Sequence, residues 1–242
     1  MGDKKKTKNA SLIIFKRELK SFYSSPIAYI VAGLFLLALG IVYFLVFYKS
    51  QSADLRILFQ LLPYLLSIFV PALTMRVFAE EKRSGSLETL MTLPVTETDV
   101  VCGKMLASFV STLLMVAPKL LYIIPVRVFG NPDFGPIIGG YAGTVFLSAC
   151  FVTIGVFSSS VTKNQIVALF VGIAISVGLT MIDTFLVFLP TQIVGFFQIL
   201  SINAHFESIS RGIIDTRDII YFVSLAALFF VLTIRMEQKA KK

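Results

Sequence analysis

The groups able to do covalent chemistry are few in this chain of 242 residues. There is one histidine, His205, and there are two cysteines, Cys102 and Cys150. That set cannot build a zinc site from several His or Cys ligands, and the cysteine spacing offers neither a metal motif nor a disulfide framework. A nucleophile–histidine pair has only His205 to work with, and no GxSxG turn supplies a serine. The single Gly-Lys pair, Gly103-Lys104, runs into Met105 and lacks the upstream glycine of a phosphate-binding loop. Hydrolysis of ATP by that route is closed to this chain. The sequence reads as non-catalytic, with no metal or cofactor of its own.

What remains is charge in unusual places. Glu80-Glu81-Lys82-Arg83 opens a stretch that continues Ser84-Gly85-Ser86-Leu87-Glu88 and reaches Leu93-Pro94-Val95. Inside it, Leu87, Leu90, Met91 and Leu93 form an apolar side and Glu88 and Thr89 a polar one. Pro94 stops this candidate helix, because proline disfavours a helical residue before it. Thr96 and Asp99 then have the spacing of a capping box. A short amphipathic helix that returns at once to an apolar segment is shaped to be held by a partner; spacing alone leaves a solvated, charge-rich turn equally open. Two further charges, Lys119 and Asp183, lie inside apolar runs, where a mid-membrane charge costs about 2.5–3.5 kcal/mol. They would pair with each other or line a polar pathway. The blander alternative has Lys119 snorkelling outward, the simpler expectation for it, and Asp183 capping local structure.

The elements that position these residues follow from composition. The chain is 56% hydrophobic and 15% charged, with mean hydropathy +0.85. A soluble domain is usually about a quarter charged, so the bilayer must be the solvent here. Six apolar runs stand out: Ile27–Tyr48, Ile57–Met75, Val101–Ile124, Pro136–Phe157, Gln165–Leu189 and Ile219–Ile234. They are continuously apolar, whereas membrane barrel strands alternate. The expectation is an all-α membrane protein of six transmembrane helices. The sixth run would reach only about 24 Å as a helix, short of a core of about 30 Å. The first run exceeds the apolar core of a signal peptide, about 7–15 residues, and reads as a retained anchor. With no Trp in the chain, interfacial aromatics must be Tyr.

Sixteen of the 22 basic residues, with Lys104 at the start of the third run among them, fall before the first run, between the second and third, between the fourth and fifth, and after the sixth. The positive-inside rule then puts both termini in the cytoplasm. The net charge of +8 therefore suits an anionic lipid surface rather than nucleic acid. The whole of 1–242 reads as one transmembrane domain, with a basic tail and interfacial helix at 1–25, an inner loop at 76–104 and an outer loop at 190–218. In the first segment Leu12, Phe15, Leu19 and Phe22 recur at helical spacing opposite Lys16, Arg17 and Lys20, as in a helix lying in the membrane interface. Small residues recur every four positions at Ala168, Gly172, Ser176 and Thr180, and again at Gly139 and Gly143. Such stripes let helices approach closely, within a subunit or between subunits. In the outer loop the apolar Ile193–Leu200 segment could dip back into the membrane or lie on its surface, with His205, Glu207, Arg211, Asp215, Arg217 and Asp218 expected as a solvated rim.

The stretch Glu80–Glu88 with Leu93-Pro94-Val95 resembles the cytoplasmic motif of type-2 ABC export permeases. The order of an amphipathic helix, six spans and this motif between the second and third is similar to theirs. Phe22–Ser25 with Pro26 and Tyr29, and especially Ser208–Tyr221, resemble the gliding-motility-associated branch. The resemblance implies a permease subunit in a bacterial inner membrane, paired with a second permease and with a dimer of cytoplasmic ATPases that hold ATP and Mg. It implies that Gly85–Leu93 is a coupling helix, with Gly85, Leu87, Leu90 and Pro94 seated on the ATPase and Glu80, Glu81, Lys82, Arg83 and Glu88 rimming the contact, and that the outer loop forms short helices roofing the pathway. Two other classes stay open on the residues alone: an ion-coupled secondary transporter working through Asp183, and a non-transporting membrane scaffold of a motility or secretion apparatus. The cargo is not legible in apolar helices of unknown facing.

Overall fold

The computed structural model describes residues 10–50, 55–87, 95–129, 133–185, 191–213 and 215–240. Among them every element is a helix. In order these are α1 (Ala10–Ser24), α2 (Pro26–Ser50), α3 (Arg56–Thr74), α4 (Ala79–Ser84), α5 (Glu97–Val116), a 3-10 turn (Ala117–Tyr122), α6 (Ile123–Phe129), α7 (Phe134–Val161), α8 (Gln165–Phe185), α9 (Thr191–Leu200), α10 (Ile202–Ser210) and α11 (Thr216–Ala240). Six helical stretches are long and apolar enough to cross a membrane. Helices prevail because lipid offers the backbone no hydrogen-bond partners, so each segment must satisfy its own.

Two boundaries depart from the sequence expectation. The third span is not one helix: Pro118 has no N–H to donate, and α5 tightens there into the 3-10 turn before α6 resumes. The sixth span is not short. It runs 25 residues, about 37 Å, because Thr216–Asp218 start it and Arg235–Ala240 prolong it. Thr96 and Asp99 do form the capping box at the start of α5, with Asp99 N–H donating to Thr96 Oγ1 at 3.2 Å and Thr96 N–H to Asp99 Oδ2 at 3.2 Å.

The central helix is α7, which packs against α3, α5, α8, α10 and α11. Its apolar window is 72% buried, against 17% for α2, 22% for α8 and 17% for α11. Small residues explain the close packing. Ala168, Gly172, Ser176 and Thr180 are the buried residues of α8, and a Cβ on Gly172 would lie 2.8 Å from Ser158 Oγ and 3.0 Å from Pro71 Cβ. The stripe therefore serves contacts inside the subunit, to α3 and α7. At the other end of α7, a Cβ on Gly139 would come within 2.2 Å of the Ile209 carbonyl oxygen. That contact docks α10 onto the bundle.

The outer loop does fold into two short helices, but not with a uniformly solvated rim. Glu207, Arg211, Asp215 and Arg217 are partly or fully exposed, whereas Asp218 is 6% exposed and bonded to His205. The amphipathic α1 also turns a different row inward from the one its apolar spacing suggests. Ala10, Ile14, Glu18 and Phe22 are buried, while Leu12 is 51% exposed. This row packs on α5, where a Cβ on Gly103 would meet the Ser11 carbonyl oxygen at 2.7 Å. A carboxylate, Glu18, is thereby carried into a buried seam.

Candidate functional site

The α3–α4 corner carries the Glu-Glu-Lys-Arg sequence and is held from four sides. Ser159 of α7 accepts the N–H groups of Phe78 and Ala79 at 3.0 Å each, and its hydroxyl donates to the Met75 carbonyl at 2.8 Å. These are the groups a helix break leaves without partners. Gly85, at φ +74°, ends α4 in the left-handed conformation that glycine adopts without steric penalty.

Side chains of this corner form two neutral ion clusters. Lys104 of α5 is fully buried, and its ammonium is surrounded by the Val77 carbonyl at 2.9 Å, Glu81 at 3.0 Å and Glu18 at 3.2 Å. Its hydrogen bond goes to the Val77 carbonyl, the two carboxylates neutralise it at ion-pair distance, and the Phe78 ring lies beneath at 5.1 Å. Arg17 bridges both carboxylates from the open side, 2.8 Å from each. Two cations and two anions cancel, which is what permits burial. Burial alone would disfavour the Arg17 cation, but Glu18 and Glu81 outweigh it and raise its pKa above the usual arginine value. In the second cluster Lys82 lies 2.7 Å from Glu237 of α11, which is 1% exposed, and donates to the Ser160 carbonyl of α7.

The motif residues therefore divide. Glu81 and Lys82 face inward and join α4 to α1, α5, α7 and α11; Glu80 and Arg83 are exposed. Leu87 is 7% exposed and joins the apolar core. Glu88, Leu90 and Pro94 lie outside the described residues. A cavity of about 650 Å³ opens between α1 and α4, lined among others by Arg17, Ser21, Ser25, Arg76, Glu80 and Ser86. Sequence reasoning missed Glu18, Lys104, Ser159 and Glu237. The one available signal was a charge within otherwise apolar helical rows, as at Glu18.

Lys119 and Asp183 are not brought together. Lys119 does not snorkel outward either: it is 2% exposed, bonds Thr144 of α7 and sits over the rings of Phe59 and Tyr141 at 5.3 and 4.7 Å. The 3-10 turn aims it inward. Asp183 lies beside Asn203 of α10, whose amide is 3.4 Å from its Oδ2. The two polar ends of the bundle are well separated. Gly139, against α10, and Ser159, against α4, stand about 30 Å apart along α7, the thickness of a bilayer core.

Six such helices with a polar corner at one end define a multi-pass membrane protein. The family model described as ABC-2 family transporter protein matches residues 12–236, so the chain belongs to that family. It is an ABC transporter permease. Members of the family are membrane transport components, generally non-catalytic, and typically work with an ATPase partner. No curated protein matches the chain.

Proposed function

We propose that this chain is the transmembrane subunit of an ATP-driven exporter, worked by a separate ATPase through the segment Gly85–Leu93. On this reading the Lys/Arg asymmetry puts both termini and the α3–α4 corner in the cytoplasm of a bacterial cell, with α9 and α10 outside. The ATPase dimer binds ATP and Mg, and a second permease completes the pathway. The likeness of Ser208–Tyr221 to the gliding-motility-associated branch favours that subgroup.

The observation that carries the reading is the internal wiring of the motif. A segment pulled by a motor must pass force to the spans, and a solvated turn cannot do so. Here Glu81 is tied to α1 and α5 and Lys82 to α7 and α11. Movement of the handle beyond Gly85 would drag α4 and, through buried ion contacts, four other helices. Because the clusters are neutral, they move as units without exposing net charge to lipid.

Purification from the native membrane tests this. The wild-type chain is expected to bring down a polypeptide with a phosphate-binding loop, and the variant Leu90→Asp, which leaves the core residue Leu87 in place, is expected to lose it while retaining its spans. Equal recovery from both would refute the assigned handle.

A further inference from the structure

The ring of the single histidine sits between two acceptors. His205 Nδ1 is 2.6 Å from Asp218 Oδ1, and Nε2 is 3.1 Å from the Ile199 carbonyl oxygen. The ring stacks on Tyr221 at 4.1 Å between centroids, and the Tyr221 hydroxyl donates to the Leu200 carbonyl at 2.7 Å. A neutral imidazole has one N–H and one lone pair, so it cannot donate to both neighbours. Both contacts are made only if the pair holds one proton more than a neutral ring and a carboxylate carry. Asp218 stands in the first turn of α11, where the helix dipole favours its anion, which places that proton on the ring.

We infer that His205 is a proton-operated latch, closing α9 and α10 over the bundle onto α11 when its ring is doubly protonated. Ile199 belongs to α9, His205 to α10, and Asp218 and Tyr221 to α11, so one proton joins three elements. Loss of that proton to solvent, through the 17% of the side chain left exposed, sets a lone pair against either the Ile199 carbonyl or the Asp218 carboxylate. The other carboxylate oxygen, Oδ2, is buried with no hydrogen-bond partner, so the ring is the side chain's one polar contact among the described residues.

The other charges around α10 are engaged elsewhere. Glu207 and Arg211 of α10 pair with each other, and Arg56 of α3 lies 3.8 Å from Asp133 at the start of α7. Asp183 of α8 meets Asn203, α9 carries no charged residue, and Arg217 of α11 is exposed. Asp215 Oδ1 accepts the Arg217 N–H, so among the described residues Asp218 is the one charged group on the ring. The latch lies at the end away from the α3–α4 corner and stands whether or not an ATPase drives the protein.

Hydrogen exchange of the full chain in lipid nanodiscs tests it at about pH 5.5 and about pH 8.5, either side of histidine's ordinary range. After correction for intrinsic exchange, amides of Ala204–Arg211 are expected to lose protection about tenfold or more at the higher pH, the scale of one charge-assisted hydrogen bond. His205→Gln should remove the difference. Equal protection at both pH values, or a wild-type difference surviving in H205Q, overturns the latch. If H205Q does not purify, nitrogen-15 NMR of the wild-type chain decides, since its only histidine gives one pair of ring signals. Two protonated nitrogens at about pH 5.5, lost together with protection, support the latch. A ring neutral throughout, or deprotonation without loss of protection, refutes it.

Discussion

Lys104→Met is the sharpest probe of the ion cluster at the α3–α4 corner. It removes one of two cations and leaves Glu18 and Glu81, with side chains 11% and 18% exposed, sharing Arg17 alone. Breaking a buried ion pair by deleting one partner costs about 3–5 kcal/mol. Arg17 still bridges both carboxylates and is itself half exposed, so the low end of that range, about 3 kcal/mol, is expected here. Adding Glu81→Gln restores neutrality and should recover at least about half of that loss. The pair should thus show a coupling of about 1.5 kcal/mol or more in a double-mutant cycle. Reversible unfolding in mixed micelles, followed by circular dichroism, gives each corner of the cycle. A Lys104→Met variant within about 0.5 kcal/mol of wild type, or strictly additive changes, would refute the claim that these charges act as one unit.

Three further outcomes follow from contacts elsewhere. Ser159→Ala leaves the Phe78 and Ala79 N–H groups buried without their acceptor, and should cost about 2–3 kcal/mol in the same unfolding measurement. Gly139→Ala forces a Cβ to 2.2 Å from the Ile209 carbonyl oxygen; it should displace α10 and increase proteolysis of the α9–α10 segment, whereas Gly178→Ala, with open space around it, should not. Lys119→Met replaces a buried amine whose contacts are a hydroxyl and two rings. Stability should stay within about 1 kcal/mol of wild type or rise. A transport defect in that stable variant would then mark Lys119 as part of the pathway.

The spans were legible because the membrane imposes length and apolarity on each segment separately. The small-residue stripe of α8 was legible for a related reason: closeness of helices leaves its mark on one helix at a period of four. Pairing is different. Glu18, Arg17, Glu81 and Lys104 come from three distant segments, and in sequence each looked like ordinary solvated charge. The sequence offers Arg17 as part of a polar helix face, Lys104 as a topology charge beside a glycine, and Glu81 and Lys82 as a rim. Nothing local distinguishes Ser159, which caps a helix break more than seventy residues earlier in the chain. The full length of α11 is hidden in the sequence because its ends are polar and read as loop, whereas in the fold Asp218 pairs with His205 and Glu237 with Lys82.

The measurement that bears most directly on function is a photo-crosslink from position 86, where Ser86 is exposed one residue past the left-handed Gly85. A photoreactive residue placed there in cells should capture a polypeptide that binds ATP. Crosslinking only to lipid or to extracellular protein, with no ATP-binding partner, would contradict the account.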